Sequence, residues 1–224
     1  MEAFTFTYPT KVYFGHGVAA QALWQELAKV GRTVMLAYGG GSVKRSGVYD
    51  ELKGLLLEAG KEVVDFPGIQ PNPTYAKAQA GAALARERGV DFVLAVGGGS
   101  VIDCCKVICA QTVLEEDLWK MEYERGAFPS AGLPMGAVVT ASGTGAEMNS
   151  GAVITCEDKL WKGPIVGTAP PLRFWTPPTP RRCRACRSSP ARLTRCATRW
   201  RRIWALRTRT TCPTTWRLRS SATP

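Results

Sequence analysis

An apolar, strand-like run that passes directly into three glycines constrains the fold of this chain more than any other feature. Residues 91–96 are almost unbroken in apolar side chains, as in strands buried on both faces of a parallel sheet. Gly97, Gly98 and Gly99 follow at once, and Ser100 begins a helical pattern. Glycine backbone can approach a pyrophosphate closely, and a helix amino terminus offers free N–H groups. The segment therefore predicts a nucleotide-binding strand–turn–helix unit, with a tight connection that binds nothing as the alternative.

Strand-like and helical patterns alternate through residues 11–96. This alternation is typical of strands joined by crossover helices around a parallel sheet. The fold class that follows is α/β, with a Rossmann-like parallel-sheet nucleotide-binding domain. Strand patterns lie at residues 11–14, 33–38, 62–66, 91–96, 135–140 and 152–155, and helical patterns lie at residues 18–30, 49–59, 74–88 and from 100 to 110 or beyond.

A second glycine run, Gly39 to Gly41, follows the second strand pattern and leads into Ser42, Lys44 and Arg45. In sites selective for NAD an acidic side chain near this strand end holds the ribose 2′-hydroxyl, and no such residue stands here. A hydroxyl and two cations favour a 2′-phosphate instead, so the sequence predicts NADP(H) as the cofactor. The alternative for Lys44 and Arg45 is a solvated helix start.

A third segment, residues 139–149, concentrates hydroxyls and glycines between two strand patterns. Such a loop can wrap around a cofactor, and it can equally be an ordinary turn.

His16 is the only histidine of the chain and lies between two glycines. A lone histidine cannot form a metal site, so we interpret this segment as a surface turn.

The amino-acid composition changes abruptly near residue 170. No Asp, Glu, Lys, His, Asn, Gln, Tyr or Met occurs after Lys162 and no glycine after Gly167, while Arg, Thr, Pro, Cys and Trp crowd the remainder. Selection on a folded domain rarely excludes so many residue types. We therefore expect two parts: residues 1–170 as an NADP(H)-binding α/β domain, and residues 171–224 as an out-of-frame, disordered tail.

The net charge of +11 would ordinarily suggest a nucleic-acid partner. Of the 29 basic residues, however, 14 are arginines from Arg173 onward, and all 18 acidic residues precede them. The basic character belongs to the tail, so we expect no nucleic-acid partner. No apolar stretch is long enough to span a bilayer and no targeting segment is evident, so we expect no membrane association and a cytoplasmic location.

The tail admits two functional interpretations. Its four cysteines resemble an incomplete zinc site, although the second pair lacks the close spacing of a zinc ribbon. Its arginines and tryptophans resemble a nucleic-acid arm, but the absence of lysine and glycine argues against that function. The residues concerned are Cys183, Cys186, Cys196 and Cys212 for zinc, and Trp200, Trp204 and Trp216 for base stacking.

Five motifs together resemble the iron-containing, group III alcohol dehydrogenases, and within them the butanol-dehydrogenase-like branch. The likeness covers residues 1 to about 170. The motifs occur in the family's order and consist of residues 9–15 (PTKVYFG), 38–42 (YGGGS), 70–73 (QPNP), 97–103 (GGGSVID) and 143–149 (GTGAEMN). One small departure is Ala146, where the family often has serine.

The resemblance implies the roles of particular residues. Gly40, Gly41 and Ser42 would face the 2′-phosphate, and Asn72 the adenosine side. The pyrophosphate and the nicotinamide ribose would contact Gly97, Gly98, Gly99, Ser100 and Asp103. The rest of the cofactor cleft would be lined by Thr140, Thr144 and Lys162. It also implies a small-molecule alcohol or aldehyde as substrate, interconverted with NADP(H), and a homodimer in the intact family.

The family's metal site is the main departure. Its members hold Fe²⁺ or Zn²⁺ on one aspartate and three histidines in a helical carboxyl-terminal domain, where the metal polarises the reacting oxygen. This chain has no acidic residue and no histidine after Asp158. We therefore assign no catalytic and no metal-binding residue and expect the chain as written to be inactive. The alternatives are a cofactor-binding remnant, or a dehydroquinate-synthase-like or glycerol-phosphate-dehydrogenase-like relative.

A change of reading frame explains the tail composition. Permitted codons for residues 174–180, read two nucleotides later, encode LDPTYT, which resembles the family at this point. The same offset from Arg187 to Pro224 yields a stop-free run containing Asp-x-x-x-His. That spacing places a carboxylate and an imidazole on one helix face, as the family's first two metal ligands require. We expect the frame to change between about Gly163 and Trp175.

Overall fold

A computed structural model of the protein describes residues 10–14, 18–141, 143–167 and 172–175. Eight strands and five α-helices lie in these ranges. The strands are β1 (Lys11–Phe14), β2 (Thr33–Tyr38), β3 (Glu62–Phe66), β4 (Phe92–Gly97), β5 (Met135–Val139), β6 (Gly151–Cys156), β7 (Trp161–Val166) and β8 (Leu172–Trp175). The helices are α1 (Val18–Leu27), α2 (Ser42–Arg45), α3 (Val48–Glu58), α4 (Tyr75–Glu87) and α5 (Gly99–Val113), with a π-helical turn at Lys120–Glu124 and a 3-10 turn at Ala146–Met148.

Six of the strands form a parallel sheet in the order β1-β8-β5-β4-β2-β3. Every residue of β2 and β4 is buried, because both strands lie in the interior of the sheet and helices cover its two faces. This burial explains the apolar run at residues 92–96. The predicted α/β fold with a Rossmann-like parallel sheet is confirmed.

Side chains of each central strand alternate between two hydrophobic clusters. Met35 and Ala37 pack with Val93 on the face covered by α4 and α5. Val34 and Leu36 pack on the opposite face with residues of α1 and α3. The apolar stripes of these two helices supply that second layer, with Leu23, Leu27, Leu52 and Leu56 fully buried.

Strand β6 does not join the sheet. It pairs antiparallel with β7 in a separate hairpin, with Gly151 opposite Val166 and Cys156 opposite Trp161. The sequence predicts the strand at residues 152–155 but gives no signal for β7, because Gly163 and Pro164 are both depleted in strands. Proline is tolerated there because a two-stranded hairpin consists entirely of edge strands.

Strand β8 lies between β1 and β5, with Arg173 opposite both Val12 and Ala137. It begins after residue 170, where the composition break placed the end of the domain. The compact unit that contains the sheet spans Met1–Pro177. Backbone N–H and C=O groups pair in a sheet whatever side chains they carry, so composition did not reveal this strand. The rest of the predicted tail lies outside the described residues.

A buried carboxylate ties β1 to α1. Glu26 accepts hydrogen bonds from the Tyr13 hydroxyl at 2.7 Å, from Lys29 Nζ at 2.9 Å and from Lys11 Nζ at 3.2 Å. Hydrogen bonds from Tyr13 and Lys29 lower the pKa of Glu26 to about 2.

Within the described ranges, none of the helices has both the length and the apolar character needed to cross a membrane.

Candidate cofactor-binding site

The glycine turns after β2 and β4 lie side by side at the carboxyl edge of the sheet. From β2 the chain crosses to β3 on one side, and from β4 it crosses to β5 on the other, so the strand order reverses between β2 and β4. Helix α3 follows β2 on one face, and α5 follows β4 on the opposite face. In open α/β sheets ligands bind in the crevice at such a reversal.

The turn after β4 requires its glycines for steric reasons. A Cβ atom on Gly97 would lie 2.6 Å from Val101 Cγ2, and one on Gly99 would lie 3.1 Å from Thr144 Oγ1. Gly98 is extended, with φ −91° and ψ −170°, and caps α5. Helix geometry leaves the N–H groups of Gly99 and Ser100 without an intrahelical acceptor at the start of this 15-residue helix, whereas the Val101 N–H donates to Gly98 O at 3.0 Å. Ser100 is half-buried in the first turn.

The loop after β5 closes over this turn. Thr140 donates its backbone N–H to Gly97 O at 3.0 Å, and the Thr144 hydroxyl packs beside Gly99. Thr140 is half-buried and Thr144 is exposed. The structure thus brings the first and third glycine-rich segments of the sequence together at one place.

Asp103 lies one helical turn beyond Gly99 and has one carboxylate oxygen without a hydrogen-bond partner. Oδ2 accepts from the backbone N–H of Val153 at 3.1 Å. Oδ1 is buried and accepts no hydrogen bond from the described residues. The nearest cation is Lys106, whose Nζ lies 3.6 Å from Oδ1. Burial raises the pKa of Asp103 because the ionised form loses hydration, and the Val153 N–H and Lys106 offset part of that effect.

The loop after β2 is open at the predicted 2′-phosphate position. Gly40, Gly41 and Ser42 are exposed, and a Cβ atom on Gly40 would meet nothing within 4 Å. Lys44 turns toward two tyrosines, with its Nζ 4.7 Å from the Tyr49 ring centroid and 5.4 Å from that of Tyr38.

A carboxylate near the same end of the sheet was not considered from the sequence. Asp65 precedes the last residue of β3 and pairs with Leu36 of β2. Its oxygens accept hydrogen bonds from Lys53 Nζ at 2.7 Å and from the Tyr49 hydroxyl at 2.8 Å. The neighbouring cation offsets this negative charge at the adenosine end of the predicted site.

Asn72 and Lys162 meet although 90 residues separate them. Asn72 has a left-handed backbone with φ 59°, and its Oδ1 accepts from Lys162 Nζ at 2.7 Å. Thr155 donates its backbone N–H to Pro73 O at 2.9 Å, so the β6–β7 hairpin is attached to the same loop. A cavity of about 360 Å³ lies on this hairpin, and Lys162 is the one predicted site residue that lines it.

Two kinds of candidate residue remain to be placed. His16 and the four tail cysteines lie outside the described residues. Within the described ranges, no three His, Cys, Asp or Glu side chains lie close enough together to hold a metal ion.

Lys106 and Asn149, which contact each other beside Asp103, were not predicted as site residues. The spacing of Lys106 from Asp103 is the sequence signal that would have found it.

The fold and the glycine turns define a Rossmann-like nucleotide-binding domain. The chain belongs to the iron-containing alcohol dehydrogenase family, whose model matches residues 9–170. The predicted resemblance to this family and to its butanol-dehydrogenase-like branch is confirmed.

Three relatives show how far the likeness extends. The probable NADH-dependent butanol dehydrogenase 1 of Bacillus subtilis is 44% identical over 170 residues, which are 74% of this chain and 43% of the relative. The NADPH-dependent aldehyde reductase YqhD of Escherichia coli is 41% identical over 157 residues, covering 69% of this chain and 40% of the relative. The crystal structure of NADH-dependent butanol dehydrogenase A from Thermotoga maritima superimposes with a TM-score of 0.72 at 37% identity, covering 78% of this chain and 44% of that one. The chain therefore spans less than half the length of these relatives.

Proposed function

We propose that this chain binds a nicotinamide dinucleotide at the carboxyl edge of its sheet, as the cofactor-binding part of an enzyme that interconverts primary alcohols and aldehydes. The observation that carries the proposal is the turn from Gly97 to Asp103. It combines two glycines, Gly97 and Gly99, at which a side chain would crowd its neighbours, a helix amino terminus, and a carboxylate oxygen without a hydrogen-bond partner among the described residues. Relatives named as butanol dehydrogenases and an aldehyde reductase support the substrate class.

The residues present fit a dinucleotide. The backbone N–H groups at Gly99 and Ser100 would hold the pyrophosphate, since the helix dipole favours an anion there. Asp103 Oδ1 would accept a hydrogen bond from a hydroxyl of the nicotinamide ribose. Thr140 and Thr144 would cover the pyrophosphate from the opposite side. When bound, the cofactor supplies or accepts the hydride, and these side chains orient it.

We propose that NADP(H) is the preferred cofactor. Support comes from the open Gly40–Ser42 loop, the nearby Lys44 and Arg45, and the pairing of Asp65 with Lys53. Asn72 and Lys162 would contact the adenosine side and the cleft, where the lysine adds a further positive charge. Relatives named as NADH-dependent and as NADPH-dependent are 44% and 41% identical to this chain, so a direct comparison of the two cofactors tests the preference.

The test is a fluorescence titration of the full chain with NADPH and with NADH. We expect tighter binding of NADPH, and weaker NADPH binding by Ser42→Asp because a carboxylate repels the 2′-phosphate. Ser42→Ala is the matched control that removes the hydroxyl without adding charge. Equal or tighter binding of NADH would refute the assignment of the Gly40–Ser42 loop to a 2′-phosphate. Binding of neither dinucleotide would refute the proposed function.

We propose further that the chain as written does not turn over alcohols, because no acidic residue or histidine follows Asp158. No catalytic step through a metal is assigned to the described residues. The proposal predicts no turnover of butanal with NADPH and a change of reading frame between about Gly163 and Trp175. Sequencing the gene and its downstream region checks the frame: early stops in the shifted frame, or no further histidine codons there, would exclude it.

A further inference from the structure

Lys106 is a fully buried lysine on α5, one helical turn beyond Asp103, and the proposed cofactor contacts do not account for it. Its side chain is 0% exposed. An ammonium group at such depth is stable only when oxygens surround it, because burial removes its hydration. The partners of Lys106 therefore indicate what this residue holds in place.

Among the described residues, three oxygens lie close to the ammonium group. Lys106 Nζ donates to Gly151 O at 2.7 Å and to Asn149 Oδ1 at 3.0 Å, and lies 3.6 Å from Asp103 Oδ1. Asp103 comes from α5, whereas Asn149 lies just before β6 and Gly151 is the first residue of β6. The cation thus joins the helix to the start of the hairpin.

The connection continues from Asn149 to the glycine turn. Asn149 Nδ2 donates to Gly145 O at 3.2 Å, and Gly145 has a left-handed backbone with φ 74°. The preceding residue is Thr144, whose hydroxyl packs beside Gly99. Lys106 therefore acts on both sides of the crevice, through Asp103 on α5 and through Asn149 on the covering loop.

We propose that Lys106 is a positioning residue of the dinucleotide site, whose buried ammonium group orients the Asp103 carboxylate and holds the loop at residues 144–149 against the amino terminus of α5. The inference rests on the proposed function. Lys106 does not touch the cofactor, because its side chain is enclosed by protein. Its effect on binding passes through Asp103 and Asn149.

The experiment compares Lys106→Met and Asn149→Ala with Gln111→Met in the full chain. Gln111 is a matched control, since it is a buried polar residue on the same helix and does not contact Asp103 or Asn149. Its Oε1 accepts hydrogen bonds from Leu118 N, Gln79 Nε2 and the Tyr75 hydroxyl, and its Nε2 donates to Glu116 O. We expect Lys106→Met to weaken dinucleotide binding about tenfold or more, the loss typical of a hydrogen bond to a charged group. Asn149→Ala should weaken it by a smaller factor, and Gln111→Met should leave it unchanged. Equal losses for Lys106→Met and Gln111→Met would overturn the proposal.

A second measurement does not depend on the cofactor. Lys106 is the cation within ion-pair distance of Asp103 among the described residues. A carbon-13 titration of the Asp103 carboxyl should therefore show a further rise of its pKa in Lys106→Met but not in Gln111→Met. If the wild-type chain binds no dinucleotide, the proposed function fails, while this titration still decides the role of Lys106. An unchanged Asp103 pKa in folded Lys106→Met overturns the inference.

Asn149→Ala keeps the inference testable if Lys106→Met does not fold. Asn149 is exposed, so its truncation leaves the hydrophobic core intact. We expect faster amide hydrogen exchange in the loop at residues 144–149 of this variant. Exchange at the wild-type rate would overturn the proposal.

Discussion

Glu26 and Asp103 are both largely buried carboxylates with lysine partners, yet the pKa of Glu26 is lowered and that of Asp103 is raised. Their side chains are 5% and 13% exposed. One oxygen of Glu26 accepts hydrogen bonds from three side chains, which lower its pKa to about 2. Asp103 accepts one from the Val153 N–H, and its Oδ1 has Lys106 at 3.6 Å but no hydrogen bond from the described residues, so the effect of burial prevails and raises its pKa.

The opposite pKa shifts show that the number of hydrogen bonds a buried carboxylate accepts determines whether it can still bind a ligand. Glu26 has its charge compensated by two lysines and a hydroxyl, and it ties β1 to α1. Asp103 retains accepting capacity at the crevice where the strand order reverses. A buried polar atom without a partner is costly unless a ligand or water completes it. Asp103 is therefore the better candidate for a binding residue.

The largest expected effect is on dinucleotide binding by Asp103→Asn. The amide retains an oxygen for the Val153 N–H but loses the charge that would accept a ribose hydroxyl. We expect binding to weaken by about 1.5–3 kcal/mol, or roughly 10- to 150-fold. Isothermal titration of the full chain measures this change. Affinity within twofold of wild type would show that Asp103 and Glu26 do not differ in role.

Glu26→Gln is the complementary variant and should lower stability without changing affinity. The amide cannot compensate the two lysine charges, and it receives weaker hydrogen bonds than the carboxylate. Because Lys11 and Lys29 are more than half exposed, solvent screens part of the attraction, and we expect a loss of about 1–2 kcal/mol in the free energy of unfolding. Urea denaturation measures this loss. Weakened dinucleotide binding by a folded Glu26→Gln would contradict the purely structural role.

Lowering the pH should gradually remove the contribution of Glu26 to the free energy of unfolding. Its folded pKa of about 2 lies below the ordinary value of 4.5, so its stabilisation is complete above about pH 4.5 and is lost as pH falls toward 2. The stability difference between wild type and Glu26→Gln should shrink over that range. Asp103 acts with the opposite sign, since its raised pKa means that protonation relieves a cost in the folded state. A constant difference between about pH 5 and pH 2 would show that the Glu26 hydrogen bonds contribute little.

The fold was predictable from the sequence where hydrophobic periodicity is strong. The predicted strands at residues 11–14, 33–38 and 62–66 match β1, β2 and β3 in full, and β4 begins one residue later than predicted. β7 gave no signal, because the strand contains Gly163 and Pro164. β8 gave no signal either, because it follows the composition break and joins the sheet through backbone hydrogen bonds, which do not depend on side-chain type.

The sequence predicted where the glycine turn lies in the fold, but it did not predict the contacts that surround the candidate site. Gly97 to Ser100 and Asp103 form one local unit, so a strand, a turn and a helix already bring them together. Asn72 and Lys162 meet only because the hairpin folds back onto the loop after β3. Lys106 follows Asp103 by three residues, but the oxygens that surround its ammonium group come from residues 149 and 151.

The sequence by itself determined the α/β class, the position of the glycine turns and the family, because periodicity and local spacing encode which residues share a strand, a turn or a helix face. The tertiary structure alone decided which buried charges are compensated. Glu26 and Asp103 each stand three residues before a lysine, so local spacing does not distinguish them. Lys11 and Tyr13 of β1 complete the surroundings of Glu26, while β6 supplies Asp103 with a single N–H. Electrostatic energies depend on distances and burial in space, and chain separation does not encode them.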